Sequence, residues 1–421
     1  MHSLTVSLFI LLSFSITSEA VEKAVADPAK LPAAAPGDVL VLPEGEFADV
    51  SLILKGKGTE RAPITLRANA PGKTVFTGTS TLRIAGEYLV VEGLHFRNPE
   101  PSVSDLIEFR EDSKTLSSHC RLTRCAITLT PKEVKAKESR WVGLYGHSNR
   151  VDHCRLEGKR GKGTTLVVWL GGDNVGQHRI DHNEFGPREK LGKNGGETIR
   201  IGDSKTSMLE GGCLVEANVF YRCNGEAECI SNKSCRNVYR GNTFLEVGGT
   251  LTLRHGNGCL VEKNVFLGNN VAGTGGIRII GEDHTVRGNY LENLRGDEGR
   301  SALCLMMGIP DSPLNRYFQV KRAKVINNRL VNCEHPVLIG LADDKNAKLA
   351  PVDCVFEGNQ LGCPGSDIIE ARCALEGIRW QGNVYDGRAA GIPPTPGLEA
   401  GKPQSQPLKG LTRADVGPGW N

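Results

Sequence analysis

The sequence predicts an all-β, single-domain right-handed parallel β-helix, a solenoid with coils of about 22–25 residues. Three observations lead to this prediction. Aromatic residues make up only 5% of the chain while glycine occupies 51 of 421 positions, a composition typical of turn-rich β architectures. Apolar and polar residues alternate in short runs that Gly and Pro interrupt, and no long stretch has helical periodicity. One short motif, Asn-x-(Phe/Leu/Tyr), recurs along the chain.

This motif ends an alternating run eight times, with the asparagines 22 to 39 residues apart, at Asn183, Asn218, Asn242, Asn264, Asn289, Asn328, Asn359 and Asn383. A base period with longer exceptions indicates one coil per repeat with loops inserted between strands. We expect each asparagine to adopt the left-handed conformation of a turn and to hydrogen-bond its counterpart in the next coil. The aromatic or leucine residue two positions later should point inward. The alternative is chance recurrence in a β-sandwich.

The two ends of the chain differ from the repeat region. Residues 1–20 resemble a signal peptide, with an apolar core from Val6 to Ile16 that is too short to span a bilayer. We therefore predict export to the periplasm or the medium, with residues 21–390 forming the solenoid. Five prolines fall within residues 391–408. Residues 391–421 are accordingly predicted to be an extended tail without strands, with Trp420 packing back on the solenoid.

Charge and cysteine content narrow the possible partners. Loss of residues 1–20 removes Glu19 and changes the formal net charge from +3 to +4, which does not indicate nucleic-acid binding. No other long apolar run predicts a membrane span. Of the 13 cysteines, Cys213 and Cys259 lie two coils apart, roughly 9–10 Å, which is too far for a disulfide. We expect these cysteines to be buried in the core as free thiols. One or two disulfides among the other cysteines are left as an alternative.

Charged residues concentrate in four successive alternating strands, NGGETIRIG (194–202), NGEAECISNKS (224–234), TLTLRHG (250–256) and GGIRIIG (275–281). Alternation places Glu226, Glu228, Arg254 and Arg278 on one face, with apolar neighbours on the other. Their distances from the repeat asparagines put these strands on the same side of successive coils. The charged groups should thus share a patch about 10–15 Å long, which suits a few sugar residues.

Within this patch, Glu226 and Glu228 are two residues apart and repel each other unless a cation neutralises them. With the amide oxygen of Asn194 they form an all-oxygen set suited to Ca²⁺. The alternative is a pair of solvated glutamates beside Arg200 or Arg254. Positive charge beside a lysine favours its neutral amine, which can act as a general base, so Lys233 is a candidate for that role.

Several long, ordered segments resemble polysaccharide lyase family 6, which contains alginate lyases and the dermatan-sulfate lyase chondroitinase B: GDVLVLPEGEF, LYGHSNRVDHC, NGGETIRIGDS, EAECISNKS, LTLRHGNGCLVEKNVF and the LTRADVGPGW tail. The resemblance runs from about residue 35 to the end and implies a right-handed parallel β-helix that uses calcium. It implies that Lys233 is the general base and Arg254 the general acid. It further implies that Asn194, Glu226 and Glu228 bind calcium, and that the substrate groove contains Arg200, His255 and Arg278.

The resulting expectation is a calcium-dependent lyase that cleaves guluronate-containing alginate by β-elimination, acting as a monomer on an anionic uronate polysaccharide. The first alternative is a lyase for dermatan sulfate, whose iduronate shares the C5 handedness of guluronate. A glycoside hydrolase would need carboxylates flanking the bond, and Glu226 and Glu228 are too close together for that. A non-catalytic polysaccharide-binding solenoid should carry aromatic side chains along its groove as platforms for sugar rings. The chain has only four Trp and seven Tyr, which gives little support to this alternative.

Overall fold

The computed structural model describes residues 21–130, 138–403 and 406–420, and almost all of its regular structure is β-strand. The strands form three long parallel sheets, and each coil contributes one strand to each sheet in turn. This is a parallel β-helix, so the predicted fold class is confirmed. The predicted signal peptide lies outside the described residues, among which no helix is long and apolar enough to cross a membrane.

Two of the sheets contain 14 strands each. In order along the solenoid, sheet A consists of Glu22–Ala24, Val39–Leu42, Ile64–Ala68, Leu89–Glu92, Arg121–Thr123, Arg150–Asp152, Arg179–Asp181, Leu214–Glu216, Val238–Arg240, Leu260–Glu262, Thr285–Arg287, Lys324–Ile326, Cys354–Glu357 and Ile378–Gln381. Sheet B consists of Gly45–Ala48, Thr74–Gly78, Leu94–Pro99, Ala126–Thr128, Arg155–Glu157, Glu184–Phe185, Val219–Tyr221, Thr243–Leu245, Val265–Leu267, Tyr290–Glu292, Arg329–Val331, Gln360–Asp367, Asn383–Ala389 and Leu398–Ala400.

Sheet C carries the charged strands and has 13 members. They are Ser117–Ser118, Thr81–Glu87, Asp105–Glu108, Arg140–Leu144, Leu166–Val168, Ile199–Gly202, Glu228–Lys233, Thr250–His255, Ile277–Ile279, Leu303–Met306, Val337–Leu341 and Ile369–Ala371, with Ser51–Lys57 paired to Thr81–Glu87. Two short 3-10 helices, Glu298–Arg300 and Arg413–Asp415, complete the elements.

The repeat asparagines form a continuous ladder inside the solenoid, as predicted. All eight are buried, and each side-chain amide donates to the side-chain oxygen of the next at 2.8–3.1 Å. The inward residues two positions later stack in a second column, where the ring centroids of Phe185, Phe220, Phe244 and Phe266 are 5.1, 4.7 and 4.3 Å apart. Because every coil repeats the same contact, the ladder fixes the register of the coils.

The predicted backbone conformation of these asparagines is wrong. The residue before the asparagine adopts the left-handed conformation, as at His182, Ala217, Gly241 and Lys263, with φ of 54°, 51°, 60° and 55°. The chain therefore turns one residue earlier than expected. This leaves the asparagine at the start of the next strand, where its amide can point into the core.

The carboxy-terminal segment also differs from its prediction, because it contains a strand. Leu398–Ala400 pairs in parallel with Asn383–Ala389 and extends sheet B beyond residue 390. An edge strand takes its hydrogen bonds from its neighbour, so it needs only one apolar side chain facing the core, here Leu398. The sequence of this strand therefore lacks the alternation of apolar and polar residues by which the other strands were predicted.

Beyond this strand the tail runs back along sheet B towards the amino-terminal coils. The backbone N–H of Leu411 donates to the hydroxyl of Thr243 at 2.7 Å, and Arg413 pairs with Glu184. At the end, the indole N–H of Trp420 donates to the carbonyl of Arg124 at 3.1 Å. The 13 cysteines all lie among the described residues, and all are free thiols, Cys213 and Cys259 being buried in the core.

Candidate active site

Four neighbouring strands of sheet C bring the predicted site residues together, because Ile199, Ile230, Leu251 and Ile277 stand in register on the core side. Charged residues at alternate positions consequently face outward along one stretch of the sheet. A cavity of about 1040 Å³ opens there. Seven of the eight predicted residues line it: Asn194, Glu226, Glu228, Lys233, Arg254, His255 and Arg278.

A β-bulge shapes the centre of this cavity. Asn232 pairs with Leu253, but Lys233 pairs with His255, so Arg254 is an extra residue in its strand. A bulge breaks the alternation of side chains and turns the extra residue towards one face. Arg254 and His255 consequently line the cavity although they are consecutive.

Arg254 is held on three sides. Its Nη1 donates to the carbonyl of Arg316 at 3.0 Å, and its guanidinium carbon lies 4.3 Å from the centre of the Tyr317 ring. Its Nε is 3.7 Å from Oε1 of Glu228. Because its side chain is only 15% exposed, the guanidinium is fixed in direction while still facing the cavity.

Glu228 lies between two arginines. Its Oε1 accepts a hydrogen bond from Nη2 of Arg278 at 2.6 Å, and its Oε2 accepts one from the Ser231 hydroxyl. A charge-assisted pair of this kind holds both side chains in place. Arg278, which was predicted to bind substrate, is therefore also a partner of a predicted calcium ligand.

Glu226 occupies a more acidic environment. Its Oε2 accepts hydrogen bonds from the backbone N–H groups of Gly195 and Gly196 at 2.7 and 3.0 Å. Burial, together with the nearby carboxylates of Glu197 and Glu228, raises the pKa of Glu226 to about 7. The Oε2 atom of Glu197 is buried and has no hydrogen-bond partner among the described residues. An accumulation of carboxylates in a half-buried place calls for a cation.

These donors fit a hard divalent cation such as Ca²⁺. The oxygens come from carboxylates and an amide, the set that calcium prefers, and one buried carboxylate oxygen lacks a partner. No three His, Cys, Asp or Glu side chains of the described segments converge as a metal-binding group. Asn194, the predicted amide ligand, lines the cavity together with Glu226 and Glu228.

His255 is a neutral imidazole at the edge of this cavity. Burial, with the positive charges of Arg254 and Lys233, lowers the pKa of His255 to about 3. Its Nε2 lies 3.4 Å from the Ser204 hydroxyl and its Nδ1 3.4 Å from Nη1 of Arg254. At neutral pH the ring can exchange hydrogen bonds with a ligand without adding charge.

Arg200 is the predicted residue that does not line the cavity. It stands in register with Ser231, Thr252 and Arg278 on the outer face of sheet C. Its guanidinium carbon lies 5.1 Å from the centre of the Trp169 ring instead. Its predicted place in the substrate groove stays a prediction, and its aromatic neighbour was not predicted.

The sequence analysis missed several residues of the cavity wall, of which Tyr317 is the most prominent. Its hydroxyl donates to Oδ2 of Asp343 at 2.6 Å, and burial with this contact raises the pKa of Tyr317 to about 12. Arg300, Asn315 and Tyr317 all fall between Asn289 and Asn328, the longest interval of the repeat. The length of that interval was the one sequence signal for an inserted loop. The sequence of the loop did not indicate that it folds over the cavity.

Fold and cavity together define a class of protein: a parallel β-helix with a groove on one sheet that is lined by both acidic and basic side chains. The family model described as chondroitinase B matches residues 21–357. The chain belongs to this family, polysaccharide lyase family 6, as the resemblance had indicated.

Solved structures agree with this assignment. A mutant of the PL6 family alginate lyase AlyGC is 41% identical over 94% of this chain and 58% of its own length, with a TM-score of 0.89. Another structure of AlyGC is 43% identical over 91% and 54%, with a TM-score of 0.84, so this chain spans little more than half of AlyGC. A mannuronic acid specific family 6 lyase from human gut microbiota is 36% identical over 87% and 86%, with a TM-score of 0.81. Comparison with curated proteins gave no match.

Proposed function

We propose that this protein is a calcium-dependent lyase that cleaves alginate, including its guluronate units, by β-elimination and leaves unsaturated uronate ends. One observation carries the proposal: Lys233 and Arg254, on adjacent strands, line the same cavity as Glu226 and Glu228. Elimination needs a base, a proton donor and positive charge around one acidic sugar, and these side chains supply all three.

The base removes a weakly acidic proton from C5 of the uronate. The lone pair of the Lys233 amine accepts this proton, and the electrons of the C–H bond move into an enolate-like carboxylate. A calcium ion held by Asn194, Glu226 and Glu228 would neutralise that carboxylate when bound. Arg278, fixed by Glu228, adds a second positive charge on the same side.

The electrons then return to form the C4–C5 double bond, and the C4–O4 bond breaks. Arg254 faces the cavity beside Lys233 and donates a hydrogen bond or proton to the departing O4. The stacking of its guanidinium on Tyr317 fixes the direction of that donor. Because positioned donors stabilise only the charge that develops, this geometry favours the transition state.

Replacement of Lys233 tests the chemistry directly. Lys233→Ala should lower the rise in ultraviolet absorbance of the unsaturated product by about 10²- to 10⁴-fold, the usual contribution of a general base. Lys205→Ala is the matched control, because Lys205 is exposed and lies outside the cavity lining. Circular dichroism should show that both variants keep the fold. Full activity in Lys233→Ala would dismiss the assignment.

A substrate panel tests the choice of polymer and the metal. Two of the similar structures are alginate lyases and a third is specific for mannuronic acid, so polyguluronate, polymannuronate and mixed alginate should be compared. Dermatan sulfate belongs in the panel because the matching family model is that of chondroitinase B. Activity on dermatan sulfate alone would replace the alginate proposal. Activity that survives a chelator unchanged would reject the calcium requirement.

Export and oligomeric state are part of the same proposal. A polymeric substrate lies outside the cytoplasm, which agrees with a signal peptide at residues 1–20. Expression of the full chain should yield a product in the periplasm or medium that begins near Val21 and runs as a monomer in size-exclusion chromatography. Recovery of the chain from the cytoplasm with residues 1–20 still attached would refute the predicted export.

A further inference from the structure

A buried polar cluster lies on the core side of sheet C, behind Lys233. Its centre is Asn232, which precedes Lys233 in the strand Glu228–Lys233 and is fully buried. In the neighbouring coils, the residues of the same inward row are all apolar: Val168, Ile201, Leu253, Ile279, Leu305 and Ile339. Among these paired residues, the polar exception therefore falls at the coil that carries Lys233.

Sheet A has a matching exception in the same coil. Tyr239 occupies an inward row that Val215 and Val261 continue on either side, and it is fully buried. Its hydroxyl donates to Oδ1 of Asn232 at 2.8 Å. Burial raises the pKa of Tyr239 well above its usual range, so the hydroxyl keeps its proton. Two polar exceptions on different sheets are thus hydrogen-bonded to each other across the core.

Every hydrogen-bonding group of the Asn232 side chain is used. Besides the Tyr239 hydroxyl, its Oδ1 accepts from Nδ2 of Asn237 at 2.7 Å. Its Nδ2 donates to the carbonyls of Ser234 and His255 at 2.9 and 2.8 Å. Because an amide offers two donors and two lone pairs, these four bonds fix the side chain in one orientation.

The bond to His255 spans the β-bulge. The backbone of Asn232 is paired with Leu253, whereas its side-chain amide holds the carbonyl of His255, two residues further along. Arg254, the extra residue, thus lies between two attachments to the same asparagine. A bulge disrupts the ladder locally, so a side chain that adds a contact there fixes how the extra residue projects.

Stability alone does not call for this cluster. A buried hydrogen bond contributes little net free energy, and a buried amide or phenol becomes costly when one partner is lost. The neighbouring coils fill the same two rows with Val, Leu and Ile, which need no partners. The polar pair instead coincides with the coil that carries Lys233 and with the bulge beside it.

We propose that Asn232, tied to Tyr239, is a positioning residue for the elimination: it holds the bulge so that Arg254 and His255 face the cavity beside Lys233. Asn232 lies behind the sheet and acts only through these three residues. The inference rests on the proposed lyase function and adds to it a residue that is not part of the cavity lining.

A double replacement, Asn232→Leu with Tyr239→Phe, tests this role. It gives the coil an apolar core like that of its neighbours, and replacing both partners by apolar groups of similar shape is nearly neutral for stability. Asn237 keeps its bonds to the carbonyl and hydroxyl of Ser234. The variant should therefore fold with a Tm close to that of wild type. Its kcat on alginate should fall about 10- to 100-fold, as for a small misplacement of catalytic groups, while KM changes less than about 3-fold.

A single variant and a control complete the kinetic series. Tyr239→Phe removes only the hydroxyl and should lower kcat less than the double variant does. Ile339→Val is the control, on the same inward row four strands from Asn232; loss of one buried methylene group should lower Tm slightly and leave kcat unchanged. An unchanged kcat in the folded double variant, with wild type active, would overturn the positioning role and leave the proposed function intact.

The ring of His255 gives a readout that does not depend on activity. Burial, with the positive charges of Arg254 and Lys233, lowers the pKa of His255 to about 3. Its NMR signal, identified by its absence from His255→Gln, should therefore stay constant between about pH 5 and 8 in wild type and in Ile339→Val. Release of the bulge should expose the ring, so in the double variant the pKa should rise towards the usual value of about 6.5 and the signal should titrate.

This readout separates the two proposals. A constant His255 signal in the double variant would overturn the positioning role. Titration of His255 there, in a protein without lyase activity, would support the hold on the bulge and refute only the chemistry. If the double variant does not fold, Tyr239→Phe, which keeps the aromatic ring, decides by the same two measurements.

Discussion

Replacement of Asn264 by alanine should destabilise the solenoid at one place in the asparagine ladder. The Oδ1 atom of Asn264 accepts from the backbone N and from Nδ2 of Asn242 at 3.0 and 2.9 Å. Its Nδ2 donates to the carbonyl of Tyr239 and to Oδ1 of Asn289, both at 3.0 Å. The substitution therefore removes four hydrogen bonds from the buried interior.

The magnitude follows from the groups left without partners. Nδ2 of Asn242 keeps its bond to the carbonyl of Val215, and Oδ1 of Asn289 keeps the bond from the backbone N of residue 264. The backbone N–H of Asn242 loses its partner outright, whereas Tyr239 stays in the parallel ladder with Leu260–Glu262. At about 1–3 kcal/mol for this unsatisfied group and about 0.5–1.5 kcal/mol for each of the other three bonds, the free energy of unfolding should fall by roughly 2.5–7.5 kcal/mol.

Thermal unfolding and hydrogen exchange measure this effect. For a chain of 421 residues a loss of about 3 kcal/mol lowers Tm by roughly 4 °C. Because a solenoid coil contacts mainly its neighbours, exchange should accelerate around residues 238–267 and stay unchanged around residues 64–92. The control is Asn346→Ala, at an exposed position, which should change stability by less than about 0.5 kcal/mol.

The reasoning fails if Asn264→Ala and Asn346→Ala have the same Tm and the same exchange pattern. It also fails if exchange accelerates uniformly along the chain, because the ladder would then not act coil by coil.

Two further predictions concern pH and the tail. Burial lowers the pKa of four histidines to about 4, 3, 3 and 4, in the order His95, His178, His255 and His284. As the pH falls below 6.5, the unfolded chain takes up protons on these histidines before the folded chain does. The free energy of unfolding should therefore have its highest value above pH 6.5 and decrease towards pH 4. Equal denaturant midpoints at about pH 7.5 and 5 would contradict this. Arg413→Ala removes one of the two arginine partners of the buried Glu184, which keeps its pair with Arg155, and should cost about 1–2 kcal/mol and expose the tail to proteases. Arg388→Ala, from an exposed pair, should change neither, and equal proteolysis of the two variants would refute the tail contact.

The grouping of the candidate site residues was largely predictable because they sit on the periodic part of the chain. Once the coil length is known, the alternation within strands puts Glu228, Arg254 and Arg278 on one face of one sheet. The bulge at Arg254 was not predictable, because a single inserted residue leaves no mark in a short alternating pattern. The position of Trp169 beside Arg200 was not predictable for a different reason: the two side chains become neighbours only through the register of their strands.

By itself, the sequence determined the solenoid, the ladder of asparagines and the strands that bear charge, since each follows from a local pattern repeated at a fixed interval. Only the tertiary structure decided what the irregular segments contact: Tyr317 over Arg254, Glu197 beside Glu226, and the tail along sheet B. The physical reason is that a repeated strand inherits its neighbours from the coil before it. A loop or tail instead finds its partners through packing between residues that lie far apart in the chain.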